Sequence, residues 1–181
     1  RGGKKRPRRC AENGITLKKK RQVLFMPKKA TLCFVKHKDN ILMINRVKPP
    51  FMGLWNAVGG HLEAGETLEE CAKREIKEES GIIVQSVKLI SEFTWNYDDE
   101  TGYVFLSELP EDFDESRFPF KTDEGVVDFM PISRIVDPRN AGVIEDLRIF
   151  IKDIERGEYH DYHLVYDGNR LAEAEIKKKN F

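Results

Sequence analysis

The stretch Gly60-His-Leu-Glu-Ala-Gly-Glu66-Thr67-Leu-Glu-Glu70-Cys-Ala-Lys-Arg74-Glu75-Ile-Lys-Glu78-Glu79-Ser-Gly81-Ile82 decides how this chain is read. Its second half predicts a helix over residues 67–80. Thr67 and Glu70 stand at the N-cap and N3 positions of a capping box. Gly81 suits the left-handed position that follows a last turn. Leu68, Ala72 and Ile76 recur every four residues and supply the stripe that faces a core. Arg74 can pair with Glu70 one turn back and also reach Glu66. Glu75, Glu78 and Glu79 follow at i, i+3 and i+4, which sets three carboxylates on one helix face.

Three close anions repel one another, and a bare helix carrying them loses stability. A bound divalent cation relieves that repulsion. Carboxylate-only ligands favour a hard ion such as Mg²⁺ or Mn²⁺ over Zn²⁺. Mg²⁺ commonly keeps several waters and bridges a few carboxylates to substrate phosphates. An arbitrary cluster of this kind is more often a solvated charged face. Here it sits inside a longer pattern.

Gly60, Glu66, Arg74-Glu75, Ile76, Glu78-Glu79, Gly81 and Ile82 occupy every specified position of a 23-residue signature. In this the chain resembles the Nudix hydrolases, including the MutT-like members. The resemblance implies an α/β fold, an α/β/α sandwich with a mixed β-sheet, over about residues 26–168. It implies hydrolysis of a nucleoside diphosphate linked to another group, with Mg²⁺ or Mn²⁺ as cofactor. Glu75, Glu78, Glu79 and the Gly60 carbonyl become the metal-ligand candidates. Glu66 and Arg74 become orienting residues. The general base stays open between Glu78, Glu79 and Glu124, the last because many relatives carry a further acid in the loop before a late strand.

Upstream of the signature, residues 51–60 resemble the corresponding segment of enzymes that cleave oxidised purine nucleoside triphosphates such as 8-oxo-dGTP. In some of those an Asn after a Trp contacts the base. Asn56 is therefore the substrate-binding candidate, since an amide both donates and accepts. Trp55 reads more readily as core. Phe34 and Phe51 are candidate pocket walls, and Trp95, Phe113, Phe118 and Phe120 either cover the site or pack. Residues 137–146 are a possible further purine contact. Nucleotide sugars, ADP-ribose, dinucleoside polyphosphates and RNA caps are the alternative substrates within the family.

Working outward, residues 30–35 and 40–45 are β-rich and joined by a polar turn. Residues 55–62 regain strand character. Longer strands are expected over 82–97 and 103–108, with an acidic turn between them. Residues 110–124 read as an acidic, aromatic loop and 126–130 as a short strand. Residues 131–135 read as one helical turn, 143–156 as a long amphipathic helix and 162–166 as a last strand. Such a mixture indicates an α/β or α+β domain. Residues 169–181 read as a polar tail.

The 181 residues carry 31 basic and 31 acidic side chains, so the formal net charge is zero. That zero is a sum of opposites. Residues 1–25 hold ten Lys/Arg against Glu12 alone, and the remainder holds 21 basic and 30 acidic residues. The arm reads as disordered. It is either a nucleic-acid contact or sequence added upstream of a native start at Met26. In a binding-module alternative, the arm grips nucleic acid while the domain senses a nucleotide. No run approaches the roughly 20 apolar residues of a membrane span, so no membrane partner is expected, and the small nucleotide partner is what the resemblance implies. A homodimer is possible by resemblance. Cys10, Cys33 and Cys71 show no metal-ligand spacing, and Cys33 and Cys71 fall in apolar or helical runs. A cytoplasmic, reducing location is expected. His37, His61, His160 and His163 form no zinc set and read as ordinary packing.

Overall fold

A computed structural model describes residues 28–97 and 99–177. The basic arm, Met26, Cys10 and the final residues 178–181 lie outside the described residues. The elements run β1 (Lys29–His37), β2 (Asn40–Arg46), β3 (Trp55–Ala57), α1 (Leu68–Ser80), β4 (Lys88–Trp95), β5 (Thr101–Glu108), β6 (Phe120–Lys121), β7 (Gly125–Pro131), α2 (Ile132–Ile135), α3 (Leu147–Arg156), β8 (His160–Asp167) and β9 (Arg170–Ile176).

The strands form one sheet in the order β6-β7-β2-β1-β5-β4-β8-β9, with β3 paired to β2. β1 runs parallel to β5, and β4 parallel to β8, while the other pairs are antiparallel. Central β1 is buried on both sides, which explains its unbroken apolar run. Leu32 and Phe34 point to one face, where they meet Phe93, Val104, Leu147, Phe150 and Ile151. Cys33 and Val35 point to the other, where they meet Val58, Ala72, Ile76 and Phe105. α1 therefore covers one face and α3 the opposite one. This is the expected α/β/α sandwich with a mixed sheet. Ile76 is fully buried, a burial that contributes roughly 1.5–3 kcal/mol.

Several boundaries move for tertiary reasons. The helix expected from residue 143 begins at Leu147, because Val143 and Ile144 are taken by Trp55: Val143 bridges it, and the Ile144 N–H donates to its carbonyl at 3.1 Å. The strand expected over 82–97 starts only at Lys88. Residues 169–181 are not simply a polar tail, because Arg170–Ile176 pairs along β8 as an edge strand. Its exposed polar residues alternate on a strand that needs only one neighbour. The loop aromatics Phe113, Phe118 and Phe120 pack on the α1 face. His37 is buried there, hydrogen-bonded to Glu115 and 3.2 Å from the Glu111 carbonyl.

The segment after β3 matters most for the site. β3 leaves β2 and continues beside β1, with Cys33 N–H donating to Val58 at 2.7 Å and Thr31 N–H to Gly60 at 2.8 Å. At Gly59, φ is +148°, and a β-carbon would stand 2.1 Å from the Thr31 carbonyl oxygen, so only glycine fits. This crossing brings the Gly59–Gly60 backbone against α1.

Candidate active site

The N-terminus of α1 is built as its sequence predicts. Thr67 accepts from the Glu70 N–H at 3.2 Å, and the Glu70 carboxylate accepts from the Thr67 N–H at 2.8 Å. That second bond changes one expectation. Glu70 is occupied by the cap, so Arg74 does not pair with it. The guanidinium turns to Glu66 in a two-pronged contact, Nε to Oε1 at 2.6 Å and Nη2 to Oε2 at 3.1 Å. It also donates to Glu75 at 2.8 Å, to Glu78 at 3.1 Å and to the His61 carbonyl at 3.1 Å. Hydrogen bonds from Arg74 hold Glu66 below its ordinary carboxylate range. Those with Glu66 and Glu75 stabilise the charged guanidinium in return. Planar, fork-shaped Arg serves this multidentate role where Lys cannot.

The three helix carboxylates have different surroundings. Glu78 is mostly exposed, and Glu75 is nearly covered. Glu79 is buried and accepts the Gly59 N–H at 2.8 Å. Burial pushes Glu79 up to about 7, with repulsion from Glu75 and Glu124 adding to it and the Gly59 bond opposing it. Glu124 therefore lies close enough to Glu79 for their charges to interact, and it is itself paired with Lys48 at 2.6 Å. Arg46, at the end of β2, also feels the Glu79 charge. A loop far away in sequence thus delivers a fourth acid to the same place.

The donor set of Glu75, Glu78, Glu79 and the Gly60 carbonyl is all oxygen, which suits a hard divalent cation, although the Gly60 carbonyl already accepts the Thr31 N–H at 2.8 Å. Burial, with added repulsion from neighbouring carboxylates, drives Glu79 towards neutrality, and a cation there would relieve both. The carboxylates are not drawn into a tight cage, since Arg74 stands between Glu75 and Glu78. The compact group among the described residues is elsewhere: Asp153, Glu158 and His160, whose ligand atoms lie within 4.8 Å of one another. Asp153 already accepts from Ser91 at 2.9 Å and Tyr162 at 2.9 Å, and sits 3.1 Å from His160 Nδ1. That group is a staple between α3, β4 and β8.

On the sheet face opposite α1 opens a cavity of about 320 Å³. Asn56, Arg46, Phe51, Phe93, Trp95 and Asp146 are among its lining residues, and Gly59 and Gly60 lie along it too. These two glycines thus line the cavity and also abut Glu79 and Glu75 of the acidic helix. Phe34 is buried core and is not part of this wall.

Asp146 is the residue whose role sequence reasoning left unassigned within 137–146. It is buried, its Oδ1 has no hydrogen-bond partner among the described residues, and burial raises it to about 6. The Tyr166 hydroxyl is nearby but short of a well-formed bond. An orphaned buried acceptor is costly, and the residue that carries this one lines the cavity. No periodicity marks this residue, because it sits where a strand bridge hands over to a helix.

Residues 26–150 match the NUDIX domain family model. The chain belongs to the NUDIX domain family. An oxidized purine nucleoside triphosphate hydrolase of Danio rerio is 30% identical over 157 residues, covering 84% of this chain and 99% of that protein. The NAD-capped RNA hydrolase NudC of Vibrio atlanticus is 28% identical over 116 residues, 61% of this chain. Against that longer Nudix protein the chain spans only 43% of the length. Among solved structures, a MutT protein from Bacillus halodurans superposes with a TM-score of 0.63 at 21% identity, covering 83% of this chain and 97% of that one. That likeness shows the shared Nudix fold. Among the described residues, no helix is long and apolar enough to cross a membrane.

Proposed function

We propose that this Nudix protein hydrolyses a purine nucleoside polyphosphate with Mg²⁺ or Mn²⁺, releasing a monophosphate-containing product. One observation carries the reading. The cavity that holds Asn56 and Asp146 ends at Gly59–Gly60, and Glu79 and Glu75 abut the same two glycines. A base at one end and a phosphate chain at the other would match that span.

Glu75, Glu78, Glu79 and the Gly60 carbonyl would hold the cation. When bound, it neutralises phosphate charge and makes water a better nucleophile. Arg74 keeps Glu75 and Glu78 oriented. Arg46 lies between the cavity and Glu79, placed to meet an anionic group. Asn56 offers a donor and an acceptor to a purine edge, and Asp146 offers either, according to its protonation. Glu79 is tied to the Gly59 N–H. Glu78 and Glu124, both more exposed than Glu79, have more room to take a proton from water. The similarity to the Danio rerio oxidized purine nucleoside triphosphate hydrolase supports an oxidised purine such as 8-oxo-dGTP as substrate.

The test is formation of the monophosphate product from a panel of nucleoside triphosphates, oxidised purines, nucleotide sugars, ADP-ribose and capped RNA, with and without Mg²⁺. Metal-dependent turnover with a purine triphosphate ranked first is expected. Preference for a nucleotide sugar or ADP-ribose would overturn the substrate assignment. Binding without any turnover would favour a nucleotide sensor.

A further inference from the structure

The cavity wall carries a carboxylate with no part in the chemistry above. Glu100 precedes β5, and its side chain is only 10% exposed. Its Oε2 lies 2.8 Å from Nε2 of His61, and both residues line the cavity. Strand register places the pair. His61 bridges Ala30 from one side of β1, and Gly102 pairs with Ala30 from the other. Glu100 and His61 therefore meet across β1 at the start of the strand, on the cavity's rim.

Asn56 lies five residues before His61 on an extended segment, about 16 Å along the chain at 3.3 Å per residue. Asn56, His61 and Glu100 line the same cavity, so a nucleoside whose base meets Asn56 would extend toward Glu100. The base edge would meet Asn56 and Asp146. The phosphates have their own route along Arg46, Gly59 and Gly60. The unit left opposite Glu100 is the sugar.

We propose that Glu100, positioned by His61, is a specificity-determining residue that accepts a hydrogen bond from a sugar hydroxyl of the bound nucleotide. The proposal builds on the nucleotide reading of the same cavity. An ionised carboxylate only accepts, so it selects for a donor and disfavours a phosphate. A carboxylate accepts several hydrogen bonds at once, so its contact with His61 is compatible with a further one. A bond from a hydroxyl to a charged acceptor is among the stronger polar contacts. A site built around a hydroxyl discriminates against an analogue that lacks it. His61 spans from the loop that follows Gly60, so it fixes Glu100 relative to the phosphate end.

The experiment takes the purine triphosphate that wild type turns over best and compares its ribo, 2′-deoxy and 2′,3′-dideoxy forms. Values of kcat/KM are measured for wild type, Glu100→Met, Glu100→Gln and His61→Ala, with melting temperatures recorded alongside. Wild type should lose roughly tenfold or more when the contacted hydroxyl is removed. The step at which the loss occurs separates a 2′ from a 3′ contact. Glu100→Met should erase the sugar difference, Glu100→Gln should keep part of it, and His61→Ala should shrink it. Equal turnover of the three sugars by wild type overturns the proposal, as does an equal loss on all three in Glu100→Met. Absence of wild-type turnover on every nucleotide overturns the nucleotide reading itself, and this proposal with it.

Discussion

The Glu75 carboxylate rests against the α-carbon of Gly60, so closely that a β-carbon on Gly60 would stand 2.5 Å from Glu75 Oε1. Gly60 carries no left-handed φ, so its need for glycine comes from this contact. Gly60→Ala should therefore displace the carboxylate while leaving the backbone path intact. The Mg²⁺ concentration for half-maximal activity should rise by roughly tenfold, the cost of one misplaced charged ligand. A titration of activity against Mg²⁺, with a melting curve alongside, checks both parts.

Arg74 touches Glu66, Glu75, Glu78 and the His61 carbonyl together. Lys keeps the charge and loses the fork. Arg74→Lys should lower kcat by roughly tenfold to a hundredfold through loss of orientation. The change in KM should be smaller. Recovery of wild-type kcat at saturating Mg²⁺ would show instead that Arg74 only helps bind the cation.

Glu78 is exposed, and Arg74 is its ion-pair partner on the helix. Glu78→Gln should cost under about 0.5 kcal/mol of stability, as exposed substitutions generally do. Its kcat should fall severely. The same measurement on Glu124→Gln separates the two candidate bases: the one whose loss removes the basic group from the pH–rate profile takes the proton. Near-wild-type turnover in Glu78→Gln removes Glu78 from the mechanism.

Asp146 is raised to about 6 by burial, above the ordinary 3.8 of an unfolded Asp. The folded protein thus binds a proton that the unfolded chain has released, and stability falls as pH rises between those values. Asp146→Asn lacks this titration. Relative to that variant, wild type should lose roughly 2–3 kcal/mol between about pH 4 and pH 6 and change little above it. Urea denaturation of both proteins at several pH values, without ligand, tests the sign. A flat difference would mean that the carboxyl is hydrated in solution.

The helix was legible because its information is local. Capping by Thr67 and Glu70, the left-handed stop at Gly81 and the buried stripe of Ala72 and Ile76 all depend on residues within a few positions. The same holds for β1 and β2. For Arg74 the sequence allows both Glu70 and Glu66, and geometry settles the choice: the cap takes Glu70 and the guanidinium pairs with Glu66. The start of α3 was misread because Trp55, some ninety residues away, takes the backbone of Val143 and Ile144.

By itself, the sequence determined the acidic helix, the order of most elements and the family, because spacing on one helix is set by its turn. Only the tertiary structure brought Glu124 within electrostatic reach of Glu79, left Asp146 Oδ1 unpaired in a cavity-lining residue and set Glu100 against His61. Those relationships depend on strands that cross between partners. Sheet register decides which distant residues meet, and no local pattern records it.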